Sequence, residues 1–122
     1  MRERVVFTGY LKDEDVVVFL NLASVLVLPS LMEGFGLPAV EAAACGCPVI
    51  ATNESPLASL LGGGAISILP REQEIEQALV SVLSSEEMRR RMSQAGLAAA
   101  QALTWNNAAR QLMEVIEQAA SA

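Results

Sequence analysis

The run Glu33-Gly34-Phe35-Gly36-Leu37-Pro38-Ala39-Val40-Glu41 sets two carboxylates eight positions apart around a pair of glycines. Glycines let backbone approach a ligand closely. A helix that starts near Leu37, with Pro38 in its first turn, aims unpaired N–H groups and a positive dipole end back at the loop. Such a loop attracts anions, and a diphosphate is a natural guest. Two carboxylates beside a diphosphate repel it unless they serve hydroxyl groups, and carboxylates accept hydrogen bonds from sugar hydroxyls well. The combination suits a diphosphate flanked by sugars, that is, a sugar nucleotide. The run matches neither the GxGxxG fingerprint nor the Walker loop. A plainer account fits the same residues: Glu41 complements the helix dipole and Glu33 is a surface loop residue.

These residues need a scaffold, and the chain alternates strand-like and helix-like pieces. Short apolar runs at Arg4–Thr8, Val25–Leu28, Pro48–Ala51 and Ile66–Leu69 end in glycine or proline or begin with it. Runs so short and apolar suit a parallel sheet covered on both faces. Between and after them the pattern predicts helices. One spans Pro38 to Ala44 and is closed by Gly46. A second, over residues 72–83, places Ile75, Leu79, Val82 and Leu83 on one face. Ser84-Ser85-Glu86-Glu87 contains an S-x-x-E capping box for a third, which carries Met88, Met92, Ala95 and Ala99 on a stripe. Thr104 caps a last helix with Leu112, Val115, Ile116 and Ala119 inward. Val16–Leu20 reads as strand by propensity, but Asp13-Glu14-Asp15 before it resembles a helix first turn; periodicity leaves both open. The sum is an α/β doubly wound, Rossmann-like domain with a mostly parallel sheet of about four short strands and C-terminal helices.

Composition narrows the function. A chain of 122 residues suits one domain, and 52% apolar residues can build its core. The net charge of −6 argues against nucleic acid, and the one basic cluster, Arg89-Arg90-Arg91, reads as a solvated helix face. With no histidine, His-based triads, bases and metal sites are excluded within this sequence. Cys45 and Cys47 flank one glycine, a poor zinc signal, and read as small core residues. The methionines read as core filling too. No apolar run reaches the ~18 residues of a membrane span, and no secretion signal is visible. A cytoplasmic location is expected by default, with a full-length enzyme able to sit on the inner membrane.

The text P-S-x-x-E-G-F-G-L-P-x-x-E-A-x-A-x-G-x-P-V-I-A, Pro29 to Ala51 here, resembles the donor-binding segment of family 4 glycosyltransferases, the large retaining group with the two-domain GT-B fold. Their Glu-x7-Glu signature is matched by Glu33 and Glu41. Val5-Val6-Phe7-Thr8-Gly9 resembles their V-x-F-x-G strand, and Leu103-Thr104-Trp105 their terminal F-S-W, so the likeness spans nearly the whole chain. It implies that Glu33, the catalytic candidate, bonds hydroxyls of the transferred sugar. Gly34, Phe35, Gly36 and Leu37 would offer N–H groups to sugar and diphosphate, Glu41 would hold the ribose hydroxyls, and Pro29 and Ser30 would shape the loop. The donor would be a UDP-, GDP- or ADP-sugar, transferred with retention and with neither bound metal nor cofactor.

Two departures stand out. Where the family often has S-x-L-P-E-V, this chain has Ser55-Pro56-Leu57-Ala58-Ser59-Leu60, so Ser59 replaces a glutamate. The family's diphosphate-gripping Arg and Lys lie in an earlier strand–helix unit, which this sequence does not contain, nor does it contain an acceptor domain. The 122 residues are therefore expected to be part of a donor domain, inactive alone, and to dimerise or swap strands through the hydrophobic edge left at residues 4–8. The alternatives are a non-catalytic nucleotide-sugar-binding or assembly module, and a purely structural α/β fragment.

Overall fold

The computed structural model describes residues 4–54 and 56–121. Helix α1 (Asp13–Leu22) is followed by β1 (Leu26–Leu28), α2 (Leu37–Ala44), β2 (Val49–Thr52), the short α3 (Leu57–Leu60), a 3-10 turn (Gly62–Gly64) and β3 (Ala65–Ile68). Three helices close the chain: α4 (Glu72–Ser84), α5 (Glu86–Ala102) and α6 (Trp105–Ala120). The sheet is parallel in the order β1-β2-β3, with Leu26 opposite Val49 and Val49 opposite Ala65.

Strand β2 lies in the middle, and all four of its residues are buried. Alternation sends Val49 and Ala51 to one face, against Leu20, Ala39, Ala42 and Ala43. Ile50 goes to the other, against Ile68, Ala78, Val82 and Met92. The doubly covered parallel sheet is thus present, and it explains why the strands read as unbroken apolar runs. Thr52 ends β2 with only 1% exposure, and its hydroxyl has no hydrogen-bond partner among the described residues. An unsatisfied buried hydroxyl is destabilising, so Thr52→Val, of nearly equal volume, is expected to raise stability by about 1 kcal/mol in urea denaturation.

The ambiguous run Val16–Leu20 is helical. Val16 and Leu20, four apart, face the core, while Val17, Val18 and Phe19 face out. The acidic first turn of Asp13, Glu14 and Asp15 complements the dipole at this end. Helix α2 ends in a Schellman motif. Gly46 takes φ +74°, its N–H donates to the Ala43 carbonyl at 2.9 Å, and the Cys47 N–H donates to that of Ala42 at 2.9 Å. Cys47 is buried and free, and burial pushes its thiol pKa up, which suits a core residue.

Four expectations need correction. Residues 4–8 form no strand, and Val5, Val6 and Phe7 are exposed, so among the described residues the sheet has three strands and the edge predicted for dimerisation is not built from them. Strand preference is largely side-chain packing, and no layer covers these side chains. The cap of α5 is Ser85, not Ser84: its Oγ accepts from the Met88 N–H at 3.1 Å, and Glu87 pairs with Arg90 and Arg91 instead of closing a box. Leu83 is exposed rather than inward. Thr104 does cap α6, accepting from the Asn107 N–H at 3.2 Å, but Leu112, Val115 and Ile116 point outward and α6 buries nothing. Within the basic cluster, Arg90 and Arg91 are exposed, whereas Arg89 turns back to donate to the Val82 and Leu83 carbonyls that end α4. No described helix is long and apolar enough to cross a membrane.

Candidate functional site

In a parallel sheet every strand delivers its carboxyl end to the same rim, and there the loops meet helix N-termini. Strand β1 ends at Leu28, and residues 29–36 carry the chain to α2. Pro29 cannot extend the ladder by donating, so the strand stops there. Ser30 is half-buried, and its hydroxyl donates to Oε1 of Glu33, itself half-buried. These two predicted site residues are therefore joined.

Gly36 is buried and takes φ +84° and ψ 48°, left-handed values that other residues adopt only with strain. This turn starts α2 at Leu37, with Pro38 in its first turn. No side chain caps the helix. The Ala39 N–H donates to the Gly36 carbonyl at 3.0 Å, and Pro38 has no N–H. Among the described residues, the N–H groups of Gly34, Phe35, Gly36 and Leu37 donate no hydrogen bond within the chain. Four consecutive donors thus stand free at the positive end of a helix dipole. Phe35 and Leu37 expose apolar side chains around them.

Glu41 lies one turn into α2 on its exposed side, four residues after Leu37, while Ala39, Ala42 and Ala43 hold the buried side. Its carboxylate has no hydrogen-bonded or ion-pair partner among the described residues, and that of Glu33 has no ion pair among them. The described ion pairs all join Glu87 to Arg90 or Arg91, far along the chain in α5. The loop thus offers acceptors and backbone donors with no side-chain cation paired to them. No described group of three or more acidic or cysteine side chains could hold a metal ion.

The second loop at this rim follows β2. Ser55 lies outside the described residues. Ser59 is exposed, and its hydroxyl donates to the Pro56 carbonyl at 2.6 Å, so it caps its own turn. Asn53 and Glu54 directly follow β2 and are exposed at the same rim; sequence reasoning passed over them. Their only signal was topological: parallel pairing of β1 and β2 brings both loops to one side.

Residues 1–99 match the family described as glycosyl transferases group 1. The serotype-specific mannosyltransferase WbdA of Escherichia coli is 33% identical over 93% of this chain, which spans 14% of that protein. The MMP alpha-(1->4)-mannosyltransferase of Mycolicibacterium hassiacum is 35% identical over 89% of the chain, which spans 28% of it. Among solved structures, sucrose-phosphate synthase from Thermosynechococcus elongatus superposes with a TM-score of 0.81 at 31% identity, covering 98% of this chain and 31% of that one.

Proposed function

Because this chain belongs to the group 1 glycosyl transferases, we propose that its β1–α2 loop binds the donor, a nucleotide-diphosphate sugar, for transfer of the sugar to an acceptor. The reading is carried by one observation: the free N–H groups of Gly34 to Leu37 at the uncapped start of α2, flanked by Glu33 and Glu41. In this reading the N–H groups and the helix dipole take the diphosphate and stabilise the charge that grows on it as the sugar leaves. Glu33 accepts hydrogen bonds from the sugar and Glu41 from the ribose. The chain spans less than a third of the relatives named above, so transfer itself is assigned to the whole protein, with the acceptor and a cation for the diphosphate supplied by other residues. Exposed apolar side chains also lead us to propose self-association of the 122-residue chain, through α6 rather than a sheet edge.

Titrating UDP-, GDP- and ADP-sugars while following the backbone amides is the direct test. Resonances of Gly34 to Leu37 are expected to shift with at least one donor, and Glu41→Ala is expected to weaken that response at least about tenfold, the loss of one or two charge-assisted hydrogen bonds. Silence at these amides with all three donors would overturn the assignment.

A further inference from the structure

Among the described residues, side chains hydrogen-bond to one another in two places. One is the exposed Arg90–Glu87 pair in α5. The other is Ser30 donating to Glu33 in the candidate site. An exposed pair within a helix is of little consequence. The second joins two half-buried groups on an otherwise irregular loop. A hydroxyl can donate to an ionised carboxylate, and such a charge-assisted bond is stronger than a neutral one. It occupies Oε1 and leaves Oε2 and the outer lone pair of Oε1 for a ligand.

We infer that Ser30 is a positioning residue for the sugar end of the donor site: it acts through Glu33, holding that carboxylate in the orientation that receives the sugar hydroxyls. The inference rests on the donor reading above. Its physical basis is preorganisation. Glu is a flexible side chain on a segment with no ladder of backbone bonds, and binding otherwise has to freeze it. Ser30 is well placed for this role, because it stands two residues beyond the end of β1, with Pro29 fixing one backbone torsion between them. The sheet therefore anchors the donor of this hydrogen bond, and the hydrogen bond anchors the glutamate.

A role through Glu33 differs from direct contact with the ligand and from general loop support. The affinities of UDP, GDP and ADP are compared with those of their hexose-bearing forms, in the parent chain and in Ser30→Ala, Ser30→Thr, Glu33→Ala and the Ser30→Ala/Glu33→Ala double variant. For whichever base binds, Ser30→Ala is expected to weaken the sugar nucleotide about five- to tenfold, the worth of one hydrogen bond. The bare diphosphate should bind unchanged, Ser30→Thr should restore the parent value, and Ser30→Ala should add nothing once Glu33 is alanine. Equal weakening of both ligands would make Ser30 a support of the loop and overturn the inference. An effect that persists without Glu33 would make Ser30 a direct contact, again overturning it. If the parent binds none of the six ligands, the donor reading itself falls and takes this inference with it.

Discussion

Replacing Gly64 with alanine is expected to destabilise the fold by about 3 kcal/mol, at the upper end of what overpacking does. A Cβ there would stand 2.4 Å from the Cα of Gly96 and 2.6 Å from its nitrogen. Both are backbone atoms in the middle of α5, so no rotamer change relieves the clash. Gly96 is itself closely packed, since a Cβ on it would meet that of Ala43 at 3.4 Å and the Gly64 Cα at 3.6 Å. Three small residues therefore set the spacing between the 3-10 turn, α5 and α2. Pushing α5 outward would also withdraw Met92 from the core it shares with Ile50 and Val82. Neighbouring Gly63 is the control: its added Cβ would meet only the Ala95 methyl, at 3.3 Å, so Gly63→Ala is expected to be much milder. Comparing urea midpoints of the two variants checks this, and a Gly64→Ala protein within about 1 kcal/mol of the parent would show that α5 gives way easily.

Helix α2 belongs to the same wedge, so the site inherits its precision from packing that no site residue makes. Ala42 and Ala43 bury one side of α2 while Gly36 opens it and Gly46 closes it. That part was legible in the sequence, because glycine and proline mark backbone geometry locally. The β1–α2 loop was legible for the same reason, and its free N–H groups follow from where the helix starts. Most of the errors concern what lies opposite a residue. Val5-Val6-Phe7 has strand composition, but composition does not supply a neighbouring strand. Leu112, Val115 and Ile116 form a correct apolar stripe, yet a stripe does not say what covers it. Ser84 and Ser85 are equally good caps, and the choice fell to Ser85, which adopts the extended backbone of a cap with φ −125° and ψ 104°. The Ser30–Glu33 hydrogen bond is a further case, since spacing of three in a loop predicts no contact.

The uncovered stripe on α6 is expected to drive self-association of the 122-residue chain. A compact protein of 12.9 kDa exposes about 6,300 Å². This chain exposes 8862 Å². The excess, about 2,500 Å², exceeds what one partner contributes to a standard interface, about 800 Å². The α6 stripe adds apolar surface to this exposure: Trp105 is 92% exposed and Leu112 61%, with Val115 and Ile116 beside them. At 3.6 residues per turn, Trp105, Ala108, Leu112, Val115 and Ala119 fall on one stripe, while the helix's charged residues, Arg110, Glu114 and Glu117, fall on the opposite side. Two copies can therefore meet stripe to stripe without opposing like charges, despite a net charge of −6 on each. Light scattering is expected to give about twice the mass of one chain. Leu112→Glu with Ile116→Glu should return it to a single chain without loss of helicity, because neither side chain is buried in the fold. A parent that stays monomeric up to its solubility limit would sink the prediction and leave the stripe to be covered by further polypeptide, such as the larger part of each relative that lies outside the match. The double variant also separates the proposed association from the proposed donor binding. The stripe and the β1–α2 loop share no residue, so nucleotide-induced shifts at Gly34 to Leu37 should survive when association is lost.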